Sequence, residues 1–415
     1  MSTSMYSGVS GLRSQQTRLD VIGNNIANLN TIGYKGQRVN FSDLLSQTIS
    51  GASGPNAATN QGGTNPEQVG LGVGVAAVDT NMGTGSTQST GIGTDLSIGG
   101  AGFFIIQGKG SGDYKFTRAG NFGVDKSGNL NIGGELVCGW ENYGGAAQAN
   151  GTYTFKTQES VQPINIYSDN VNGNKRIIAP KATENAVLAG NLNPSLTARG
   201  SALNNINATA TDPLPTSPDA TATMTAYDNM GNSYNVQVNF YKCYVDSAAT
   251  PPATSWYWQL ASSSANLNVG NIDADTHINS TNSGYLKFDE NGKIVNDTGF
   301  DTTKSVTLTP QGTTAGAAPF DVKLDLSGIS TYVSSGGYSV SPTNVDGYKA
   351  GDLSDISIGS DGMIMGIYNN GQKQPLGMIA LANFDNPGGL EKSGSNMYVT
   401  TANSGNFTAG LIAGT

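Results

Sequence analysis

The stretch that decides the fold is residues 5–41, MYSGVSGLRSQQTRLDVIGNNIANLNTIGYKGQRVNF. Apolar side chains recur along it at gaps of three and four residues, or sums of these: Met5, Val9, Leu12, Leu19, Ile22, Ile26 and Leu29. This spacing predicts an amphipathic helix with one apolar seam. A helix of roughly 25 residues, at about 1.5 Å per residue, would be about 38 Å long. Its apolar face is too narrow for it to fold alone.

The seam needs a partner, and it is imperfect. Gln16 and Gly23 fall on its core positions, and Gly8 and Gly11 weaken the first turns. We therefore expect the segment from Ser4 to about residue 30 to be helical only where a neighbouring molecule holds it. The alternative is an ordinary amphipathic helix packed within its own domain, but nothing nearby in the sequence supplies a facing apolar stripe.

The end of the predicted helix carries turn-favouring residues. Asn bonds to its own backbone and Gly33 tolerates positive φ, so we expect the chain to leave the helix here for an extended arm. The residues concerned are Asn24, Asn25, Ala27, Asn28, Thr31, Gly33, Tyr34, Lys35 and Phe41. Together they resemble the N-terminal signature of the bacterial flagellar axial proteins, which are the rod and hook subunits.

Glycine and small polar residues dominate the rest of the 415-residue chain, which has 57 Gly, 12% charged and 37% hydrophobic residues. This composition predicts turn-rich β structure in two or three domains. The formal net charge of −9, without a Lys/Arg cluster, argues against nucleic acid and against anionic membrane surfaces as partners. No apolar run reaches the length of a membrane span, so no membrane insertion is expected.

The first residues, Met-Ser-Thr-Ser-Met, lack the basic and apolar regions of a secretory signal. By themselves they favour a cytoplasmic protein. The resemblance implies instead an extracellular location in the bacterial flagellum, reached through the flagellar type III export apparatus without a cleaved signal peptide.

Two cysteines, Cys138 and Cys243, make no disulfide framework. We expect both to be small, buried hydrophobic residues. Some hook proteins cross-link neighbouring subunits through Cys and Lys, and this is the alternative for either residue.

Changes in composition divide the chain. We expect a mainly β fold with an N-terminal amphipathic α-helix, a discontinuous core β domain and an inserted outer domain shaped as a β-sandwich or barrel. The resemblance implies that the chain leaves the core, builds the outer domain and returns. The expected boundaries are 1–40 for the axial helix and signature, 41–75 for a linker arm, 76–148 and 343–402 for the two halves of the core, 149–342 for the outer domain, and 403–415 for a truncated C-terminal tail.

Three segments carry the resemblance within the core: GIGTDLSIGGAGFFII at 91–106, YKFTRAGNF at 114–122, and the return half from 347 to 390. Phe103 to Ile106 has the pattern of a buried strand bracketed by glycines. The alternating aromatic residues of 114–122, around a glycine, predict a hairpin.

Asp-x-x-Gly segments recur at 125–128, 228–231 and 289–292, with a shorter form at 360–362. Each lies between alternating apolar runs, which predicts a hairpin turn. A Ca²⁺ loop at Asp289 is disfavoured, because no bidentate Glu follows at the EF-hand distance. Residues 72–77 fit the dinucleotide pattern G-x-G-x-x-A, but no helical pattern follows them, so no phosphate loop is expected.

The central block, roughly 150–340, holds several strand candidates that favour a β-sandwich or barrel-like domain. Trp256 and Trp258 alternate along one of them, as core or cross-strand anchors, with a sugar-binding platform as the alternative. His277, the only histidine, lies beside Asp273 and Asp275 in a polar loop. A metal site would need more imidazole or thiolate ligands, so we expect no metal and no cofactor.

The sequence offers no G-x-S-x-G elbow, no H-E-x-x-H and no Walker loop. We therefore expect no catalytic residues and no enzyme, with a glycosidase using paired acids as the only enzymatic alternative. A secreted β-rich adhesin or surface-layer protein fits the composition, but ordered family motifs at both ends argue against it.

The size of the central block favours a hook subunit over a distal rod subunit. The resemblance implies a structural protein that polymerises into a flexible, hollow universal joint, transmitting torque from rod to filament in swimming motility. The implied partners are other copies of the chain, the distal rod, the hook cap, the hook-filament junction proteins and the export apparatus.

Hook proteins that resemble this chain continue past residues 404–407 into a long C-terminal amphipathic helix that pairs with the N-terminal one. This sequence ends at Thr415. We therefore expect a truncated chain that is monomeric or polymerises poorly, with a chain divergent from those proteins as the alternative.

Overall fold

The computed structural model describes residues 3–55, 60–110, 112–144, 153–170, 172–198, 216–246, 253–270, 281–296, 300, 302–312 and 316–412. Within these ranges one α-helix, α1 (Thr3–Ala27), precedes a chain of β-strands. The chain forms two compact units, unit 1 from residues 1–176, 353–367 and 373–415 and unit 2 from residues 177–352 and 368–372. The predicted fold, mainly β with an N-terminal helix and a discontinuous core, is confirmed. That the helix needs a neighbour to hold it stays a prediction.

The strands have the following bounds. In the first segment of unit 1 they are β1 (Gln37–Asp43), β2 (Ser46–Ser50), β3 (Glu67–Gly70), β4 (Val73–Thr80), β5 (Phe103–Gln107), β6 (Tyr114–Thr117), β7 (Gly123–Val124), β8 (Leu130–Ile132), β9 (Glu135–Trp140), β10 (Gln162–Pro163), β11 (Ser168–Asp169) and β12 (Gly173–Asn174). They continue through unit 2 as β13 (Ile177–Ile178), β14 (Asn185–Asn191), β15 (Ala220–Tyr227), β16 (Ser233–Asp246), β17 (Ala253–Ser262), β18 (Leu267–Asn268), β19 (Ser283–Phe288), β20 (Ile294–Val295), β21 (Thr303–Pro310), β22 (Phe320–Ser330) and β23 (Ser341–Val345). The last are β24 (Gly351–Ile358), β25 (Met363–Tyr368), β26 (Lys373–Asn383), β27 (Glu391–Gly394), β28 (Met397–Val399) and β29 (Thr408–Ile412), with a 3₁₀ turn at Pro387–Gly389.

An antiparallel ribbon follows the helix. β1 pairs with β4, with a bulge between Asn40 and Phe41, and β2 pairs with β3. Every residue of β2 and β3 is exposed. Within the described part of 41–75, expected as a linker arm, strands pair into an antiparallel ribbon, because alternating residues supply cross-strand partners such as Phe41 and Val75.

The main sheet of unit 1 runs in the order β24, β25, β26, β9, β5, β6, β28, β27. Its central strand β5 is buried on both faces. Phe103 and Ile105 belong to one hydrophobic cluster, and Phe104 and Ile106 belong to another on the opposite face. The buried strand predicted at 103–106 is confirmed, and its unbroken apolar run follows from having a core on each side.

The hairpin predicted over residues 114–122 is wrong. β6 pairs with β5 and β28, and the chain then turns away from it. Leu96 donates its backbone N–H to the Gly120 carbonyl at 2.9 Å, and a Cβ at Gly120 would lie 1.8 Å from the Leu96 oxygen. Glycine is thus required there by the close approach of another segment rather than by a hairpin turn.

Unit 2 is a sandwich of two sheets, one ordered β18, β21, β22, β14, β23 and the other β15, β16, β17, β19, β20. A single hydrophobic cluster takes side chains from both sheets. Trp256 and Trp258 are fully buried in it, and Trp258 lies opposite Phe240 in the neighbouring strand. The sandwich and the core role of the two tryptophans are as predicted.

The Asp-x-x-Gly segments form hairpin turns, as predicted. In the turn between β15 and β16, the Asp228 carboxylate accepts hydrogen bonds from the Met230 and Asn232 backbone N–H groups, both at 2.9 Å. Gly231 has φ +87°. The turns at 125–128, 289–292 and 360–362 likewise join β7 to β8, β19 to β20 and β24 to β25, and each has its glycine at positive φ.

The boundary between the units differs from the expected ones at 149 and 342. β10 pairs with β9 in unit 1, and Ile164 is fully buried in a unit 1 cluster. The chain passes to unit 2 only at Ile177 and returns at Leu353, because the intervening strands complete the unit 1 core first.

Cys138 and Cys243 are free and buried. Burial raises the pKa of each thiol to about 12, which keeps the thiols protonated and poorly nucleophilic. They behave as the buried hydrophobic residues that the sequence predicts. His277, Asp273 and Asp275 lie outside the described residues.

Replacing Trp256 by Ala should destabilise unit 2 by about 3–5 kcal/mol, because it empties a large, fully buried site. The measurement is denaturant unfolding followed by near-ultraviolet circular dichroism. Met230→Ala is the control, since Met230 is 61% exposed and its loss should change the free energy of unfolding by less than about 0.5 kcal/mol. Equal effects of the two changes would contradict the assigned core.

Asp346 should make the free energy of unfolding of unit 2 depend on pH. Burial alone raises the pKa of its carboxyl, but hydrogen bonds from Asn185, Lys181 and Glu184 outweigh burial and lower that pKa to about 2. The stabilisation is therefore complete above the ordinary pKa and is lost as the pH falls towards 2. Asp346→Asn should cost about 2 kcal/mol at pH 7, and the difference from wild type should shrink between pH 4 and pH 2. Unfolding curves across this range measure it, and a constant difference would refute it.

Candidate interaction surface of the N-terminal helix

Helix α1 packs on β1 and β4 through a face of small polar side chains. Ser14 Oγ donates to the Val73 carbonyl and the Val73 N–H donates to Ser10 Oγ, both at 3.3 Å. A Cβ at Gly72 would lie 2.3 Å from Ser10 Oγ, so only glycine allows this approach. The serines recur at helical spacing from Ser7, and Ser14 is only 5% exposed.

The predicted apolar seam lies on the other side of α1 and faces water. All seven of its residues are between 40% and 81% exposed: Met5, Val9, Leu12, Leu19, Ile22, Ile26 and Leu29. This reverses the usual arrangement of a surface helix, which buries its apolar stripe and exposes its polar face. A continuous exposed apolar stripe of this kind marks an interaction surface.

The glycines of the helix stand in open space. An added Cβ at Gly8, Gly11 or Gly23 would meet no atom within 4 Å. Among the residues that the structure describes, no close packing requires these glycines. They lower the intrinsic stability of the helix.

The end of α1 is held by its asparagines. Asn28 Nδ2 donates to the Asn24 carbonyl at 2.9 Å, and Thr31 Oγ1 donates to Asn28 Oδ1 at 3.1 Å. The helix ends at Ala27, within this network. The Asn24 carbonyl thus accepts from both the backbone N–H, at 3.2 Å, and the side chain of Asn28.

Asn25 fastens the start of β1 to the helix. Its Nδ2 donates to the Gln37 carbonyl at 2.7 Å, and its Oδ1 accepts from the Gln37 N–H at 3.0 Å. The Tyr34 hydroxyl also donates to Oδ1, at 3.0 Å. The amide thus pairs with one residue as a neighbouring strand would, and it fixes the direction in which the arm leaves the helix.

The signature then lies against the main sheet of unit 1. Gly33 has φ +73°, and a Cβ there would lie 2.5 Å from the backbone nitrogen of Ala119. Asn396 Nδ2 donates to the Ile32 carbonyl at 2.9 Å. Gly33 is therefore required twice, by its backbone conformation and by the adjacent chain.

Two lysines complete this junction. Lys35 is 9% exposed and its Nζ donates to the Gly83 carbonyl at 2.7 Å. Burial, with the nearby charge of Arg118, lowers the pKa of Lys35. Lys392 Nζ donates to the Lys35 carbonyl at 3.1 Å and lies 4.7 Å from the centre of the Tyr34 ring, a cation–π contact.

The structure brings most of the predicted signature residues into this junction. Asn24, Asn28 and Thr31 form one network, Asn25 and Tyr34 another, and Gly33 and Lys35 contact the sheet. Phe41 lies farther along, opposite Val75 in β1.

Sequence reasoning missed the partners of the signature and the serine face. Lys392 and Asn396 are more than 350 residues away in sequence, so no local pattern could reveal them. The spacing of Ser7, Ser10 and Ser14 did carry a helical period, which would have indicated a second packing face.

Among the described residues, no group of three or more His, Cys, Asp or Glu side chains is placed to hold a metal ion. No described helix is both long and apolar enough to cross a membrane.

Comparisons with known proteins agree with the signature. The family described as "Flagella basal body rod protein" matches residues 5–35, and "Flagellar basal body protein FlaE D2 domain" matches residues 195–348. A Treponema pallidum protein, flagellar hook protein FlgE, is 36% identical over 98% of this chain and 86% of its own length. The protein of the same name from Borreliella burgdorferi is 35% identical over 99% of this chain and 87% of its own length.

A rod protein also matches, over a smaller part of the chain. Flagellar basal-body rod protein FlgG of Bacillus subtilis is 52% identical over 32% of this chain and 49% of its own length. The crystal structure of Helicobacter pylori flagellar hook protein FlgE2 has a TM-score of 0.45 and 14% identity, covering 76% of this chain and 94% of that one, a likeness too slight to add to the argument.

Replacing Gly33 by Ala should loosen the junction, because the new methyl group meets the Ala119 backbone and the residue must keep positive φ. We expect a cost of roughly 1–3 kcal/mol to unit 1. Hydrogen exchange of the amides from 28 to 37, together with thermal unfolding, measures it. The control is Gly23→Ala, which has open space in the helix and should stabilise α1 by up to about 1 kcal/mol. Unchanged exchange in Gly33→Ala would contradict the assigned contact.

Proposed function

The chain belongs to the flagellar hook protein family and is a structural subunit of the flagellar hook, and from this we propose that it assembles by burying the apolar stripe of α1 against other copies. The observation that carries the proposal is the orientation of that helix. Its serine face is occupied by its own ribbon, and its six apolar seam residues, with Leu29 just after the helix, are left in water.

Burial of the stripe supplies a driving force for assembly. Leu12 and Leu19 are 74% and 67% exposed, and moving one such leucine out of water contributes about 1–2 kcal/mol. Because several leucine and isoleucine side chains lie on one face, burial of the stripe and ordering of the helix stabilise each other. A helix that is marginal by itself becomes stable when a neighbour covers it.

The same contact repeated from copy to copy produces a polymer. A heterologous contact that does not close a ring generates a helical assembly, and a hollow tube is one form of it. We propose that this tube is the flexible universal joint that carries torque from rod to filament in swimming motility. The helices supply the stiff inner contacts.

The surface of unit 2 suits contacts that must slide as the tube bends. In β15 the buried residues are alanine and methionine, and the alternating outward residues include Thr223 and Thr225, which are exposed. Small hydroxyl side chains offer many weak, water-mediated contacts that exchange readily. Deep apolar pockets, by contrast, would lock neighbouring subunits in one position.

Family membership also supports the remaining assignments. We propose that the subunit leaves the cell through the flagellar type III export apparatus without a cleaved signal peptide and acts outside the cell. Its other partners would be the distal rod, the hook cap and the hook-filament junction proteins. We propose no enzymatic activity, since the relatives are named as flagellar hook proteins.

The alternatives have less support. The distal rod interpretation rests on a relative that matches about a third of the chain, whereas the hook relatives match nearly all of it. An adhesin or surface-layer protein would not be expected to share the whole chain with hook proteins.

Leu19→Asp should abolish polymerisation and leave the β units folded, because it places a charge in the middle of the stripe, 67% exposed in the single chain. Electron microscopy of hooks from cells that make the variant, with circular dichroism of the purified chain, provides the test. Leu19→Met, which keeps the position apolar, should still assemble. Normal hooks built from Leu19→Asp would show that this stripe is not the assembly surface.

A further inference from the structure

A buried cation lies at the place where the chain leaves unit 1. The Lys175 side chain is 1% exposed, and its Nζ contacts the carboxylate of Asp169, which is also 1% exposed. The ammonium group also donates to the Asn165 and Leu376 carbonyls, at 2.9 and 2.7 Å. Glu141 Oε1 lies 3.5 Å from it. A lysine so thoroughly buried is uncommon unless its charge is paired.

A tight hairpin places the two charges together. Asp169 lies opposite Gly173, and the Lys175 N–H donates to the Tyr167 carbonyl at 2.8 Å. Asp169 and Lys175 are therefore diagonal neighbours on one face of this ribbon. The Asn172 amide spans the turn, donating to Asp169 Oδ2 at 2.8 Å and to the Glu141 carbonyl at 3.0 Å.

The acceptors of this ammonium belong to segments that are distant in sequence. Glu141 directly follows β9. Asn165 precedes β11, and Asp169 is the last residue of that strand. Leu376 lies in β26, 201 residues from Lys175. All of them belong to unit 1. One side chain thus ties the exit segment to two strands of the main sheet.

The chain enters unit 2 two residues later, at Ile177. It returns at Leu353, whose N–H donates to the Arg176 carbonyl at 2.8 Å. The outgoing and returning chains therefore lie side by side next to Lys175, which is bonded into the sheet.

We propose that Lys175 is the anchor by which unit 1 holds the chain that leads to unit 2. A pull on the outgoing chain then reaches the main sheet through the contacts of one ammonium group, and it does not peel the segment before Ile177 off the core. The returning chain needs no such anchor, because it enters the main sheet directly as β24. The mechanical purpose of the anchor rests on the proposed function as a torque-carrying subunit; its existence as a local clamp does not.

Electrostatics explain why the position needs a cation. Burial raises the pKa of Glu141, and the Lys175 charge opposes this effect. Burial also acts to raise the pKa of Asp169, but hydrogen bonds from Asn172 and Lys175 outweigh it and lower that pKa. Without Lys175 the two carboxyl groups repel each other, and the Asn165 and Leu376 carbonyls lose a donor.

The test is hydrogen exchange, followed by mass spectrometry, on the full 415-residue chain carrying Lys175→Met. We expect exchange of the amides of 164–176 and of Leu353 to become at least tenfold faster, with the amides of 236–241 in unit 2 unchanged. The double variant Lys175→Met with Asp169→Asn should recover part of the protection, since it removes the uncompensated charge. Should Lys175→Met fail to fold, Glu141→Gln keeps the main ion pair and should give a smaller change in the same amides.

Lys181→Met is the matched control. Lys181 pairs with Glu184 and Asp346 in unit 2 but is 40% exposed, so its loss should leave the exchange of 164–176 unchanged. Exchange of 164–176 within twofold of wild type in Lys175→Met would overturn the proposal. Equal acceleration in both units would also overturn it, because it would indicate general destabilisation.

The mechanical role is tested by pulling single molecules and measuring the force at which they first rupture. The handles are attached at Lys126→Cys in unit 1 and Val333→Cys in unit 2. Lys175→Met should lower the force of the first rupture, and an unchanged force would contradict an anchor. The measurement uses isolated chains, so its outcome is separate from whether cells make hooks, which tests the proposed function.

Discussion

The structure depends on the way α1 uses its two faces. Ser10 and Ser14 bond to the backbone at Val73, over a glycine that permits the close approach. That docking holds the helix by its polar side and leaves the apolar stripe, from Met5 to Leu29, in water. An exposed stripe of this length is unfavourable for a single molecule. The proposed assembly of hook subunits would remove it from water.

The junction at the end of α1 fixes where the chain runs after the helix. Asn25 bonds to both backbone groups of Gln37, Gly33 lies against Ala119, and Lys35 is buried against Gly83. The helix end is therefore joined to the main sheet by short, directional contacts. The sheet is itself packed on both faces around β5, so the element that receives the helix is a buried, closely packed one.

Local patterns in the sequence predicted the parts of the fold that depend on near neighbours. The Asp-x-x-Gly turns formed because an aspartate can bond to backbone groups two and four residues ahead, as Asp228 does. Trp256 and Trp258 are core residues, as their alternation indicated. The hairpin expected at 114–122 does not form, because Gly120 packs against the Leu96 backbone instead. Alternation of residue types cannot reveal such a contact. The pairing of β1 with β4 in the expected linker was missed, because the two strands lie at least 30 residues apart in the sequence.

The sequence by itself determined that the chain is mainly β and that it begins with an amphipathic helix, because composition and residue periodicity over a few turns carry that information. The likeness to flagellar axial proteins came from the resemblance of the signature residues to that family. Only the tertiary structure decided which face of α1 is free, what Gly33 and Lys35 contact, and that Lys175 is buried among two carboxylates and two carbonyls. Those features join residues as many as 357 positions apart. Side chains so distant acquire their partners only when the chain has folded, because no local pattern encodes their separation in space.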